Sequence, residues 1–214
     1  NHPGGVMTHF FLPSLEDNDS ISLLYLTASG DTIKTYNNYS ENKSNKLDLR
    51  KGGNLHVWNI SYDPATKFDG MILWWASLNG PKAKPGKYMV VLDVNGQAQS
   101  QSFNIIQRPN SEGTAADIDA QFNFVKSIND KMDEAHQAII DMRSLRSQIL
   151  SYSSKSEDTD VKKYASEIDS IMTKVENALY QTKNRSGQDP LNFPIKLTNK
   201  LAHLNSLTQM GDND

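Results

Sequence analysis

The sequence predicts an all-β module followed by an all-α module. Two observations carry this expectation. Up to Arg108, apolar residues alternate in short runs broken by Gly, Pro and Asn. Beyond residues 109–114 they recur every three or four positions through most of the remaining chain. The boundaries that follow are a β module over 1–108, a linker over 109–114 and a helical module over 115–214.

In the first half, alternation and turn residues mark about seven short strands. The first covers residues 6–12 and is closed by Pro13. The second, 21–27, places Ile21, Leu23 and Tyr25 on one face. Residues 29–31 turn the chain into a third strand at 32–36. Residues 54–60 put His56, Trp58 and Ile60 on one side. Residues 71–77 are apolar on both faces, as expected of a central strand covered on both sides. Residues 87–94 align Tyr88, Val90, Leu92 and Val94. Asn95-Gly96 then supplies the two positive φ angles of a type I′ hairpin turn, and 97–106 returns. Between the third and fourth strands, residues 37–51 are rich in Asn and Ser and read as an exposed loop. Short strands at this spacing predict a β-sandwich of immunoglobulin or fibronectin type III kind.

In the second half, Ile118, Phe122, Val125, Ile128, Met132, Ala135, Ile139, Met142, Leu145 and Ile149 step by three or four. That pattern predicts one long amphipathic helix over 115–152, with Thr114 as its N-cap. At about 1.5 Å per residue it would run roughly 57 Å, too long for its apolar face to lie on strands of about 23 Å. Its partners should therefore be helices. Val161, Tyr164, Ala165, Ile168, Ile171, Met172, Val175 and Leu179 form a second stripe. Leu197, Leu201, Leu204 and Leu207 form a third, from about Pro194 to a stop at Gly211. A three-helix antiparallel bundle is the expected arrangement.

Composition narrows the function classes. The chain has 214 residues, no cysteine and a net charge of -3. Residues 1–108 carry 10 basic and 9 acidic side chains, and residues 109–214 carry 12 and 16. Neither half has the basic excess of a nucleic-acid binder. Thiolate metal sites and thiol nucleophiles are excluded. No apolar run reaches the roughly 18 residues of a membrane span. The chain begins with Asn1, which suggests a processed product or a piece of something longer.

Signatures of chemistry are missing. The histidines His2, His9, His56, His136 and His203 contain no i,i+3 or i,i+4 pair for a metal, though His9 and His56 could meet across the sheet. Nucleophile elbows, phosphate-binding glycine loops and zinc-protease motifs do not occur. Acids such as Asp63, Asp69, Asp133 and Glu134 fall in turns and on outer helix faces, as solvated carboxylates do. Trp75, with Tyr62 and Phe68 nearby in sequence, is the candidate aromatic platform for a sugar or a partner surface. The long connection at 181–193 offers Lys183, Arg185 and Asp189 as a candidate contact surface.

Three stretches carry a family resemblance: HPGGVMTHFFL (2–12), FDGMILW (68–74) followed by GPKAKPGKY (80–88), and KNRSGQDPLNFPI (183–195). In order and spacing the chain resembles the C-terminal region of bacterial secreted proteins with sortilin-like, Asp-box (BNR-repeat) β-propellers, often labelled glycosyl hydrolases. GNLHVWN (53–59) with PGKY (85–88) is also similar to the immunoglobulin-like domain of flagellar hook-capping proteins. The resemblance implies a secreted, periplasmic or cell-surface protein whose main partner is an upstream β-propeller of the same polypeptide. A glycan or protein ligand would be the further partner. It carries no catalytic residue onto this chain, and the residues themselves lead to the expectation of no cofactor and no metal. The expectation is a non-catalytic accessory module, with a carbohydrate-binding module as the alternative. A hydrolase with paired carboxylates is the third.

Overall fold

The structure is a computed structural model that describes residues 4–210. His2 and the expected helix stop at Gly211 lie outside the described residues. Six strands and three α-helices follow one another: β1 (Val6–Leu12), β2 (Ile21–Thr27), β3 (Thr32–Asn37), β4 (Gly52–Trp58), β5 (Gly86–Val94), β6 (Gln97–Ile105), α1 (Ala115–Lys155), α2 (Thr159–Leu179) and α3 (Leu197–Thr208). The chain forms two compact units. One holds the residues up to Asp63 together with Pro81–Phe122, and the other holds Pro64–Gly80 together with the chain from Asn123 onward. The division does not fall at 108, because Pro64–Gly80 packs among the helices and the first turns of α1 group with the sheets.

In the first unit, β1 and β4 form one antiparallel sheet, and β3-β2-β5-β6 form a second. The inward face of every strand contributes to one shared core. Ile21, Leu23, Tyr25 and Trp58 are completely buried in it, with Leu12, Ile33, Tyr36 and Tyr88 beside them. Trp58 stacks on Tyr25 at a centroid distance of 4.5 Å. The Trp58 indole donates to the Ser61 carbonyl at 3.0 Å, so its one polar atom is satisfied. Tyr25 and Thr8 share a hydrogen bond of 2.8 Å across the core. Burial pushes the Tyr25 hydroxyl up to about 12.

Local sequence explains these elements. Asn95 (φ 54°) and Gly96 (φ 83°) make the expected left-handed pair between β5 and β6. Gly5 cannot be replaced, since its φ is 127° and a Cβ there would meet the Trp58 carbonyl oxygen at 2.2 Å. The 37–51 loop is less free than its composition suggests. Leu47 is buried, and residue 46 bridges to Asn37. His9 faces outward opposite Leu55, while His56 lies half-buried against Tyr36 at 4.2 Å. Neighbouring positions of a strand point to opposite faces, so the two histidines do not meet.

The helix α1 starts on a reciprocal cap, in the turns that group with the sheets. The Thr114 hydroxyl accepts from the Asp117 amide at 3.2 Å, and the Asp117 carboxylate accepts from the Thr114 amide at 2.9 Å. The Thr114 hydroxyl and the Thr114 amide both donate to the Asp117 carboxyl and hold it below its ordinary value. The inner face of α1 buries Val125, Ile128, Met132, Ala135 and Ile139. Much of what covers that face is the 64–80 segment. Ala65, Leu73, Ala76 and Leu78 pack with Ile128 and Met132, and Phe68 packs with Ile139 and Tyr180. The helix thus finds irregular chain as well as helices.

Salt links join α1 to α2. Arg143 and Arg146 each donate to Glu176, at 2.8 and 2.7 Å, and Arg146 also reaches Asp169 at 2.6 Å. Burial alone would raise the Glu176 carboxyl. The two guanidinium groups outweigh it and hold the carboxyl below its ordinary value.

The expected strand over 71–77 does not form. The face of α3 is also largely the reverse of the expected one, and of its four leucines only Leu201 packs against the core around Ile128 and Met132. Leu197, Leu204 and Leu207 are exposed, whereas Thr198, Asn199, Ala202 and Asn205 are buried. These two departures have a common cause, described below.

Trp58→Ala should lower unfolding free energy by about 3–5 kcal/mol, the range for large aromatic truncations in a core. Urea denaturation of the purified chain would measure it.

Candidate functional site

Residues 64–80 contain a run from Met71 to Trp75 that could serve as a buried strand on hydrophobicity alone. No sheet edge receives it, so its backbone polar groups need other partners. Side chains of the helices supply them. Asn199 of α3 accepts from the Trp74 amide at 2.8 Å and donates to the Trp74 carbonyl at 2.9 Å, as a neighbouring strand would. Asn205 donates to the carbonyls of Ser77 and Asn79, at 3.0 and 2.9 Å. The Ser77 amide reaches the Ala202 carbonyl at 3.1 Å. This is why α3 buries amides and leaves Leu197, Leu204 and Leu207 outside. A buried amide is tolerated only when its hydrogen bonds are made, and here they replace a sheet ladder.

The earlier half of the segment is held in the same way. The Tyr180 hydroxyl accepts from the Ile72 amide at 2.7 Å and donates to the Gly70 carbonyl at 3.3 Å. Arg143 donates to the Asp69 carbonyl at 3.1 Å and lies over the Phe68 ring at 4.7 Å. Asp133 accepts from the Thr66 amide, so this acid is not merely a solvated one. His136, fully buried, donates through Nδ1 to the Thr66 carbonyl at 2.6 Å, and its Nε2 has no hydrogen-bond partner. Desolvation lowers the affinity of that imidazole for a second proton, although the Thr66 carbonyl and the Asp133 charge pull the other way.

These clamps present Trp75. Its indole is 71% exposed, and its backbone has φ 48°, a region that a bulky side chain rarely enters. The Asn199 bonds on Trp74 and the α3 bonds on Ser77 flank the strained residue and hold it there. The His203 ring stands edge-on to the indole at 5.7 Å. Trp74 is also partly on the surface, at 38% exposure. The two adjacent indoles therefore do not divide into one buried and one exposed face, because the backbone is not a strand.

Phe68, expected beside Trp75 in the aromatic platform, is not on the surface. Phe68 is buried, edge-on to Tyr180 at 4.9 Å and to His136 at 5.4 Å. Tyr62 belongs to the sheet unit and packs edge-on to Phe122 at 5.3 Å. In the 181–193 loop, Asp189 accepts from the Ser186 amide and hydroxyl at 2.9 and 3.0 Å, and from the Arg185 amide. These bonds hold its carboxyl low. Arg185 donates to the carbonyls of Thr182 and Asn184, and Lys183 lies over the Phe193 ring at 5.7 Å. The charges of this loop are spent largely on its own shape.

In the sheet unit, a groove of about 350 Å³ opens between β1 and β6, over Leu23, Val90 and Leu92. Among the described residues that line it, His9 is the one titratable group and none is a carboxylate. Among the described residues, no cluster of three or more His, Asp or Glu could hold a metal ion, and no helix is long and apolar enough to cross a membrane.

Two measurements check this site. Trp75→Gly should raise unfolding free energy by about 1 kcal/mol, since glycine accepts the positive φ, whereas Trp75→Ala should not. For His136, the folded state refuses a proton that the unfolded chain takes up below about pH 6.5. Stability should therefore be intact above that pH and fall as the pH drops below it. His136→Gln should flatten this slope in thermal melts.

No protein-family model matches the chain, and no curated protein or solved structure matches it.

Proposed function

We propose that the chain is a non-catalytic interaction module, an immunoglobulin-like sandwich joined to a three-helix antiparallel bundle, that presents Trp75 to a partner domain. Three features support the immunoglobulin-like type. A paired sheet of two strands faces one of four, Trp58 stacks on Tyr25 in the shared core, and Tyr88 near the start of β5 donates back to the Lys84 carbonyl at 2.8 Å. The last resembles a tyrosine corner. On this reading Pro64–Gly80 is an excursion from the connection between β4 and β5.

The observation that carries the functional reading is the exposed indole on strained backbone. Keeping a tryptophan at a positive φ costs roughly 1–3 kcal/mol, and its side chain recovers little of that by burial in the chain itself. Strain of this kind is retained where the presented group has a task, and tryptophan is the side chain most enriched at the centres of protein interfaces. The partner proposed is the β-propeller that the sequence resemblance implies, in a secreted, periplasmic or cell-surface protein. The second reading is a carbohydrate-binding module, favoured by the openness of the same indole. It is the weaker one because Phe68 is interior and Tyr62 is engaged with Phe122, so the expected platform shrinks to one ring.

Calorimetric titration of the chain against the separately produced Asp-box propeller of the parent polypeptide tests the first reading. Trp75→Ala should weaken binding at least about tenfold, the size of a moderate hot spot. Equal affinity of the two proteins would reject it. A glycan-array signal lost in Trp75→Ala, with no propeller binding, would establish the second reading instead.

A further inference from the structure

The outer face of α2 is apolar and uncovered, and its pattern is complementary to itself. Only Ala165, Met172 and Glu176 of α2 are buried, and Asp169 and Glu176 point to the arginines of α1. A different stripe lies outside. Tyr164 is 59% exposed, Ile168 41%, Ile171 61% and Val175 45%. With Val161 before them and Ala178 after, these residues fill six successive a and d positions of a heptad repeat. Solvent-facing stripes of this regularity are unusual on a helix that already has a packed side.

From this we propose that α2 pairs antiparallel with α2 of a second copy of the chain. One register aligns every apolar position. Val161 then meets Ala178 of the other copy, Tyr164 meets Val175, and Ile168 meets Ile171. Each layer occurs twice about a two-fold axis between residues 169 and 170, as an isologous dimer requires. In an antiparallel coiled coil the charged flank is set by g positions facing g positions. The g positions in this register are Asp160, Glu167 and Lys174, and the register places Glu167 opposite Lys174 of the partner copy, twice per dimer. Both side chains are exposed, and neither is in an ion pair within the chain among the described residues. The e positions Ala165 and Met172 carry no charge and are buried. Parallel pairing would set Glu167 against Met172 and Lys174 against Leu179, with no charge match. The charge pattern therefore selects both the occupant and its direction. The contact is short, six core positions per helix, so the dimer forms in the micromolar range.

Sedimentation velocity of the 214-residue chain over a concentration series tests this. The expected result is a monomer–dimer equilibrium. Glu167→Lys alone and Lys174→Glu alone each set like charges against one another twice and should weaken the dimer about tenfold. An equimolar mixture of the two variants restores both attractions and should form a heterodimer at the original affinity. Ile168→Lys, exposed enough to leave the fold intact by circular dichroism, should leave only monomer. A chain that stays monomeric into the hundreds of micromolar, as it would if another domain owns this face, overturns the proposal. So does a dimer insensitive to the charge swaps. Trp75→Ala should not affect self-association, which separates this test from that of the Trp75 surface.

Discussion

Two asparagines hold the helical unit in its form. Asn199 and Asn205 give the backbone of residues 74–79 the donors and acceptors that a β-sheet would otherwise provide. Without them the segment would leave paired polar groups stranded in a mostly apolar setting, at about 1–3 kcal/mol for each unsatisfied group. Their presence dictates which way α3 turns. It also fixes the position of Leu73, Ala76 and Leu78 over Ile128 and Met132, and with it the core around α1. The exposed Trp75 is a consequence of the same arrangement, because its neighbours on both sides are tied down.

The strands were largely legible because two signals agree in them, alternation and turn chemistry. β1 and β2 run over the expected residues, and the Asn95-Gly96 turn is where its positive φ values require. The long first helix was legible from its seam. Residues 71–77 were not, since a short apolar run reads the same whether it joins a sheet or lies among helices. α3 departs from its leucine pattern for a related reason. Leucine spacing is a strong helical signal, but it marks the buried side only when apolar surface decides the orientation. In α3 hydrogen bonding decides it. The signal that could have shown this is the Asn199–Asn205 spacing, with Ala202 midway between them, on the face opposite the leucines. At the candidate site, Trp75 was legible as an unusual residue. Its backbone strain was not, because nothing in the letters of residues 74–76 asks for a positive φ. The charges of the 181–193 loop looked available in sequence and are in fact engaged locally by Ser186, Thr182 and Asn184.

The helical unit mixes apolar packing with several buried polar groups, and two of them are titratable groups whose surroundings favour one charge state. Glu176 stays ionised between two arginines. His136 stays neutral, bonded on one side to Thr66 and bordered by the Phe68 ring. Such groups contribute less to net stability than an equal volume of leucine, since their desolvation offsets most of their attraction. What they add is discrimination among alternative packings, because a shifted register would leave a charge or a carbonyl without its counterpart.

The excursion of Pro64–Gly80 also sets an order of events in time. The Trp74 backbone and Asn199 are 125 residues apart in the chain. At roughly 5–20 residues per second, a ribosome needs on the order of ten seconds between them. During that interval the segment has emerged, β5 and β6 can complete the sheets, and its own hydrogen-bond partners on the helices do not yet exist. The nascent chain must therefore carry an apolar, unpaired stretch with two adjacent tryptophans past the completion of its first unit.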